Sequence, residues 1–197
     1  MFDYVKGKIA EITPTDIVIE CGGIGFHAAI SLQTFSKLEN SQEAKLYLHH
    51  ILREDEEMFY GFADKDEREL FRLIIAVSGI GVGTARMMLS SLSCEEIRLA
   101  IISEDVNRIK YIKGIGIKSA QRLIIDLKDK IVKGEGTASS NEVLFGTLDS
   151  SIANEAITAL VMLGFAKPAV SKVVNSILKE QPGATIENLI KLSLKKL

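Results

Sequence analysis

Ser78-Gly79-Ile80-Gly81-Val82-Gly83-Thr84-Ala85 recurs 35 residues later as Lys113-Gly114-Ile115-Gly116-Ile117-Lys118-Ser119-Ala120. Both copies run into an apolar stretch, reaching Leu89 and Ile124. Glycines two apart let the backbone turn tightly and bring its N–H groups to a ligand with no Cβ in the way. A helix starting directly after them adds donors without intrahelical partners and the positive end of its dipole. The chemistry suited to this pattern is capture of phosphate oxygens. Gly79, Gly81, Gly83, Gly114 and Gly116 are the candidate backbone contacts, with Lys118, Ser119 and Arg122 beside them. Two such sites at a fixed separation fit a nucleic-acid backbone better than a single nucleotide.

Rival readings of the glycines fit less well. A dinucleotide fingerprint wants Gly-x-Gly-x-x-Gly after a strand, with an acidic residue about 20 positions on. Here the preceding segments, 70–77 and 106–112, read as helix or irregular chain, and neither copy has its third glycine in place. A Walker A loop needs glycine directly before Lys-Ser. Ile117 precedes Lys118-Ser119, so no ATPase activity of the chain's own is expected. Simple helix-ending turns would account for one copy; the repetition argues against that for both. A β-branched side chain at Gly81 or Gly116 is expected to block phosphate approach and to be forced toward positive φ.

Charge is distributed in support of that chemistry. The 197-residue chain carries a net charge of −2. Residues 1–64 hold 5 Lys/Arg and 11 Asp/Glu, residues 65–133 hold 13 and 9, and residues 134–197 hold 6 and 6. The basic surplus thus falls on the segment with both glycine runs. No apolar stretch approaches a membrane span and no leader opens the chain, so a cytoplasmic protein is expected. Cys21 and Cys94 lack metal-ligand spacing and read as two buried, reduced thiols. His27, His49 and His50 read as strand residues rather than ligands. No metal, cofactor or catalytic residue is expected.

The elements that must position the hairpins fall into an α+β multidomain order. Residues 1–63 read as five or six short strands with glycine turns and little helix. Runs around Val5 to Ile12, Ile17 to Cys21, Phe26 to Ile30, Lys45 to Leu52 and Met58 to Phe62 suggest a small closed barrel of the oligonucleotide/oligosaccharide-binding (OB) type. From Asp64 the period changes to that of a helix: Leu70, Leu73, Ile74 and Val77 share a face, as do Ile97, Leu99, Ala100 and Ile101 in part. Residues 64–133 are therefore a helical domain with tandem helix-hairpin-helix motifs. Residues 134–150 have a flexible linker's composition. Residues 151–197 read as three short helices: about 152–163 ending at Gly164, one with Pro168 in its first turn, and one capped by Thr185.

Read end to end, the chain resembles the RuvA family of bacteria, subunits that bind four-way (Holliday) DNA junctions for branch migration. The resemblance lies in the barrel-like start, the segment Arg53-Glu54-Asp55-Glu56-Glu57-Met58-Phe59-Tyr60-Gly61-Phe62, the tandem hairpins, and a last module containing Ala159-Leu160-Val161-Met162-Leu163-Gly164-Phe165. It implies a homotetramer with fourfold symmetry, one or two tetramers clasping an open, square junction. It also implies a central acidic pin, here Glu54 and Asp55. Leu163, Phe165 and Leu194 match positions that bind the hexameric ATPase RuvB, and the junction resolvase RuvC is a further implied partner. The hairpins depart from the family pattern. Val82-Gly83 stands where a proline-lysine pair is common, Ile117 where a lysine is, and Lys113 where a proline is.

Two other functions compete. A helix-hairpin-helix DNA repair enzyme such as a glycosylase would carry a catalytic aspartate well downstream of its hairpin. Asp126 and Asp129 follow Gly116 by only 10 and 13 residues. An RNA-binding barrel would need a basic, aromatic stacking surface that the strand segment lacks.

Overall fold

The computed structural model describes residues 2–54, 57–134, 148–181 and 183–197. The chain divides into two compact units between residues 140 and 141.

In the first unit, strands β1 (Tyr4–Ile12), β2 (Asp16–Cys21), β3 (Ile24–Ile30), β4 (Glu43–Leu52) and β5 (Glu57–Phe62) close into a barrel in the order β1-β2-β3-β5-β4. All pairs are antiparallel except β3 with β5. The β2–β3 turn is Gly22-Gly23, both at positive φ (61° and 81°), and β3 already begins at Ile24. Such a two-residue turn with φ positive twice matches the twist of the flanking strands. Alternation places Val5, Ile17, Ile19, Ala28, Ile30, Leu46 and Leu48 inside. Helix α1 (Leu32–Leu38), capped by Ser31, joins β3 to β4. The strand pattern of this segment predicts little helix, and α1 has too few residues to show a helical period.

Five helices follow: α2 (Lys65–Ile75), α3 (Val82–Ser91), α4 (Cys94–Ile102), α5 (Val106–Lys110) and α6 (Ile117–Val132). They share one apolar core with the barrel's outer face. Phe71 of α2 is fully buried, stacked 5.3 Å from Tyr60 and tilted against Phe62 at 5.0 Å. Gly61 between them faces the other way; a Cβ there would come within 2.4 Å of Leu46. The Tyr-Gly-Phe run is therefore a packing device, two rings outward onto α2 and a gap inward. Of the face expected around residue 100, Ile97, Ala100 and Ile101 are buried but Leu99 is 61% exposed. Ile97 and its neighbours three and four along, Ala100 and Ile101, form the interior stripe, and position 99 falls on the opposite side of the helix.

Polar groups complete the joint. Glu67 is buried on α2 and accepts hydrogen bonds from the Ser31 and Thr34 hydroxyls, the latter at 2.8 Å. Arg68, 5% exposed, donates to the Asp3 carboxylate at 2.6 Å and its carbonyl at 2.8 Å. Asp66 takes both Arg98 terminal nitrogens, at 2.8 and 3.0 Å, tying α4 to α2. The Arg68 guanidinium holds the Asp3 carboxyl below its ordinary range.

The cysteines depart from expectation. Cys21 is exposed, because β2 runs past the barrel rim to the Gly22-Gly23 turn. Cys94 is half-buried at the start of α4, and burial with the nearby Glu67 charge pushes its thiol up to about 12. The second unit packs α7 (Leu148–Met162), α8 (Lys167–Glu180) and α9 (Ile186–Lys196) around Ala156, Leu160, Val170, Val174, Ile177 and Leu189. Thr185 caps α9 and proline opens α8. Helix α7 begins within the stretch expected as linker, whose residues 135–147 lie outside the described chain.

Burial raises the Glu67 carboxyl above its ordinary value, against the two hydroxyl donors that favour its charged form. Its stabilising contribution is therefore present below the ordinary glutamate range and lost as pH rises through the raised folded value. Urea-unfolding midpoints of the wild type and Glu67→Gln, compared from about pH 4 to about pH 8, are expected to show the wild type losing ground as pH rises. Parallel curves would contradict this.

Candidate nucleic-acid interface

The repeat seen in the residues is a repeat of backbone. Val77 and Ile112 occupy equivalent buried positions, and Ile80 and Ile115, central in each glycine run, are 5% and 6% exposed. The Ile80 N–H donates to the Val77 carbonyl at 3.1 Å, and the Ile115 N–H to Ile112, also at 3.1 Å. Gly79 and Gly114 adopt φ of 89° and 92°. Gly81 and Gly116 adopt φ, ψ of −85°, 167° and −83°, 168° and start α3 and α6. Their carbonyls accept the first helical bonds, from Ala85 at 3.0 Å and Ala120 at 2.9 Å. Gly114 and the Thr84 side chain adjoin: a Cβ on the glycine would lie 3.7 Å from Thr84 Oγ1.

Burying the isoleucines turns the flanking glycines outward, so Gly79, Gly81, Gly114 and Gly116 are all exposed. The N–H groups of Val82, Gly83 and Thr84, and of Ile117, Lys118 and Ser119, precede the first intrahelical bond of each helix and find no partner within it. Elsewhere such donors are met by side chains: Ser31, Asp64, Ser93, Asp105 and Thr185 cap α1, α2, α4, α5 and α9. Neither Gly81 nor Gly116 can do this, and neither helix has an acidic residue in its first turn. Helix α8 also starts without a side-chain cap but opens on proline, which removes one donor. The arrangement leaves two helix ends able to hold an anion.

Glycine at 81 and 116 is not required by the fold. Neither has positive φ, and a Cβ on either would meet nothing within 4 Å. This corrects the expectation that valine there would be forced toward positive φ; that constraint belongs to Gly79 and Gly114. Gly83, inside the first turn of α3, is equally open.

Side chains around the two hairpins differ. Lys110, Lys113 and Lys118 are exposed. Arg122 is 59% exposed and lies 3.8 Å from Asp126, and Ser119 is half-buried. Arg86, five residues after Gly81, donates to the Thr15 carbonyl of the β1–β2 turn at 3.1 Å. Tyr111, 91% exposed at the end of α5, does not stand out in the sequence. The 35-residue register could have found it, for it sets this ring where the first copy has only Ala76.

The remaining candidate residues lie elsewhere. Glu54 is exposed after β4, while Asp55 lies outside the described residues. In the second unit Leu163 and Leu194 are 62% and 45% exposed, whereas Phe165 is partly buried against that unit's core. Asp126 and Asp129 are both solvent-exposed on α6, outside any enclosed cleft. The histidines lie in strands; His27 and His50 come within 3.6 Å of Asp16 and 2.8 Å of Glu57. Among the described residues no cluster suits a metal ion, and no helix is long and apolar enough to cross a membrane.

Comparison with known proteins agrees with this layout. Residues 1–61 match the RuvA N-terminal domain, residues 71–129 a SAM-like helix-hairpin-helix tandem, and residues 151–197 the RuvA C-terminal domain. The chain is 49% identical over 201 residues to a protein of Bacteroides fragilis named Holliday junction branch migration complex subunit RuvA, all of both chains being covered. Relatives of the same name from Christiangramia forsetii and Porphyromonas gingivalis are 49% and 41% identical, again over the whole of both chains.

The two glycine classes are separable by stability. Gly79→Val and Gly114→Val, at φ near 90°, are each expected to cost about 1–3 kcal/mol. Gly81→Val and Gly116→Val are expected to leave the urea midpoint close to wild type. Equal losses at all four positions would show that Gly81 and Gly116 are structurally required after all.

Proposed function

Because the chain belongs to the RuvA family, we propose that it binds four-way DNA junctions, holds them open and square, and recruits the ATP-driven motor RuvB for branch migration in recombination and repair. The observation that carries this is the pair of uncapped, outward-facing hairpins, two phosphate cradles on one rigid unit. Backbone amides on phosphates read no base edges, so recognition is of DNA shape and not of sequence. Gly79, Gly81, Gly83, Gly114 and Gly116 lend their backbone, and Lys118, Ser119 and Arg122 lend side chains at the second hairpin.

The rest of the reading follows the family. A cytoplasmic homotetramer, singly or as a facing pair, presents the hairpins of each subunit to one arm. Glu54 and Asp55 stand together at the crossover, where their charge opposes phosphate and disfavours uninterrupted duplex. Glu54's exposure supports this placement. RuvB supplies the nucleotide site that this chain lacks in our reading, and RuvC acts on the junction so held. Leu163, Leu194 and Met162, the last 83% exposed, are apolar side chains of the second unit open to a motor, and Phe165 is partly buried against that unit's core.

A gel-shift or anisotropy comparison of a synthetic four-way junction with linear duplex of the same sequence tests the central claim. The junction is expected to bind much more tightly whatever its base order. Affinity should fall with salt at a log–log slope of about −0.9 per phosphate neutralised. Equal affinity for the two substrates would end the reading, and cleavage of damaged duplex would favour the repair-enzyme alternative.

Removing residues 140–197 is expected to spare junction binding and tetramer mass, since the first unit has its own core. It should abolish stimulation of RuvB-driven branch migration. Continued migration by the truncated chain would place the motor contact in the first unit.

A further inference from the structure

The two hairpins share one backbone but not one charge, and we propose that they hold phosphate by unequal means. The second acts as a cationic clamp that sets the salt dependence of DNA binding; the first acts through backbone donors alone. This rests on the junction-binding reading and divides the work of that surface between its two halves.

Shifting the chain by 35 residues pairs Lys110 with Ile75, Lys113 with Ser78, Lys118 with Gly83 and Arg122 with Met87. At each of these four positions the second hairpin carries a cation and the first a neutral residue. All four cations are exposed. Among the described residues Lys110, Lys113 and Lys118 have no acidic partner within ion-pair distance, and Arg122 has only the long 3.8 Å contact to Asp126.

Two arginines flank the first hairpin in sequence, and each makes a hydrogen bond within the protein. Arg86 is bonded to the Thr15 carbonyl, and Arg72 to the Glu69 carboxylate at 2.9 Å. Their equivalents in the second copy are Gln121 and Asn107, so the repeat has exchanged held cations for neutral residues there.

Geometry cannot produce this difference, because the glycine torsions and turn hydrogen bonds of the two copies agree closely. Charge can. Lysine and arginine at a phosphate release condensed counterions, and that release gives DNA binding its salt dependence. A neutral N–H at a helix end stabilises the same oxygen through a dipole of about half a charge.

The test measures anisotropy of a synthetic four-way junction with the full chain across a sodium chloride series. Lys113→Gln and Lys118→Gln should each weaken binding and flatten the log–log slope, by about 0.9 for each phosphate that the variant no longer neutralises. Gly81→Val should weaken binding while keeping the wild-type slope. Gly83→Lys supplies the cation that the first copy lacks. Its Cβ meets nothing within 4 Å and its φ lies outside the left-handed region. It should steepen the slope and tighten binding at low salt. Circular dichroism melting confirms that each variant is folded. Equal flattening by Gly81→Val and Lys118→Gln, or an unaltered slope in Gly83→Lys, overturns the division of labour. A wild type that binds junction and linear duplex equally would instead defeat the junction reading, leaving the slope comparisons to judge the hairpins on any DNA.

Discussion

The burial of Ile80 and Ile115 is the constraint on which the binding surface depends. Each isoleucine sits between two glycines that no side chain anchors, and each is almost fully enclosed. Enclosing a side chain of that size is worth about 1.5–3 kcal/mol. With the isoleucine drawn inward, the short turn has only one way to run, and its glycines and following N–H groups face solvent. The positive φ of Gly79 and Gly114 allows that path, and both isoleucines belong to the same buried core as Val77, Ala85, Met88, Ile112, Ala120 and Leu123.

A second requirement is that both hairpins keep a fixed relation to the barrel. The joint is apolar at its centre, where Phe71 packs on Tyr60 and Phe62, and polar at its edge, where Glu67, Arg68 and Asp66 meet Ser31, Thr34, Asp3 and Arg98. Buried charges of this kind add little net stability, because desolvation offsets most of their attraction. Their geometry is demanding, however: a two-pronged arginine–carboxylate pair tolerates little sliding. Barrel and helices therefore behave as one body, and Glu54 on the barrel and the hairpins on the helices are carried by the same rigid frame.

Within that frame, backbone and side chains have separate duties. The 35-residue repeat keeps the Gly-Ile-Gly turn and the buried apolar character of the positions around it, while the solvent-facing positions have diverged in charge character. Arg86 illustrates the difference between composition and placement. Its sequence position beside a glycine run suggests a phosphate contact, yet its guanidinium lies on the Thr15 carbonyl and serves the joint between α3 and the barrel.

The hairpins, the barrel strands, the capped α9 and the proline start of α8 are legible in the residues themselves, because each follows from local rules: glycine spacing, period-two alternation, cap chemistry. So is the family, through the order of its motifs. Other features are decided by contacts between distant parts of the chain. Helix α1 escapes a reading of the sequence because seven residues with one cap carry too short a pattern. Cys21 is exposed because β2 overruns the barrel rim, which alternation alone cannot reveal. Glu67 reads as one more surface charge on a helix until residues 31 and 34, more than thirty positions earlier, fold over it. Gly81 and Gly79 look alike in sequence, yet only Gly79 needs its glycine for conformation. Local chemistry determined which elements form and where phosphate could be held. Long-range packing decided which way each residue faces, and hence which glycines and cations are left open to a ligand.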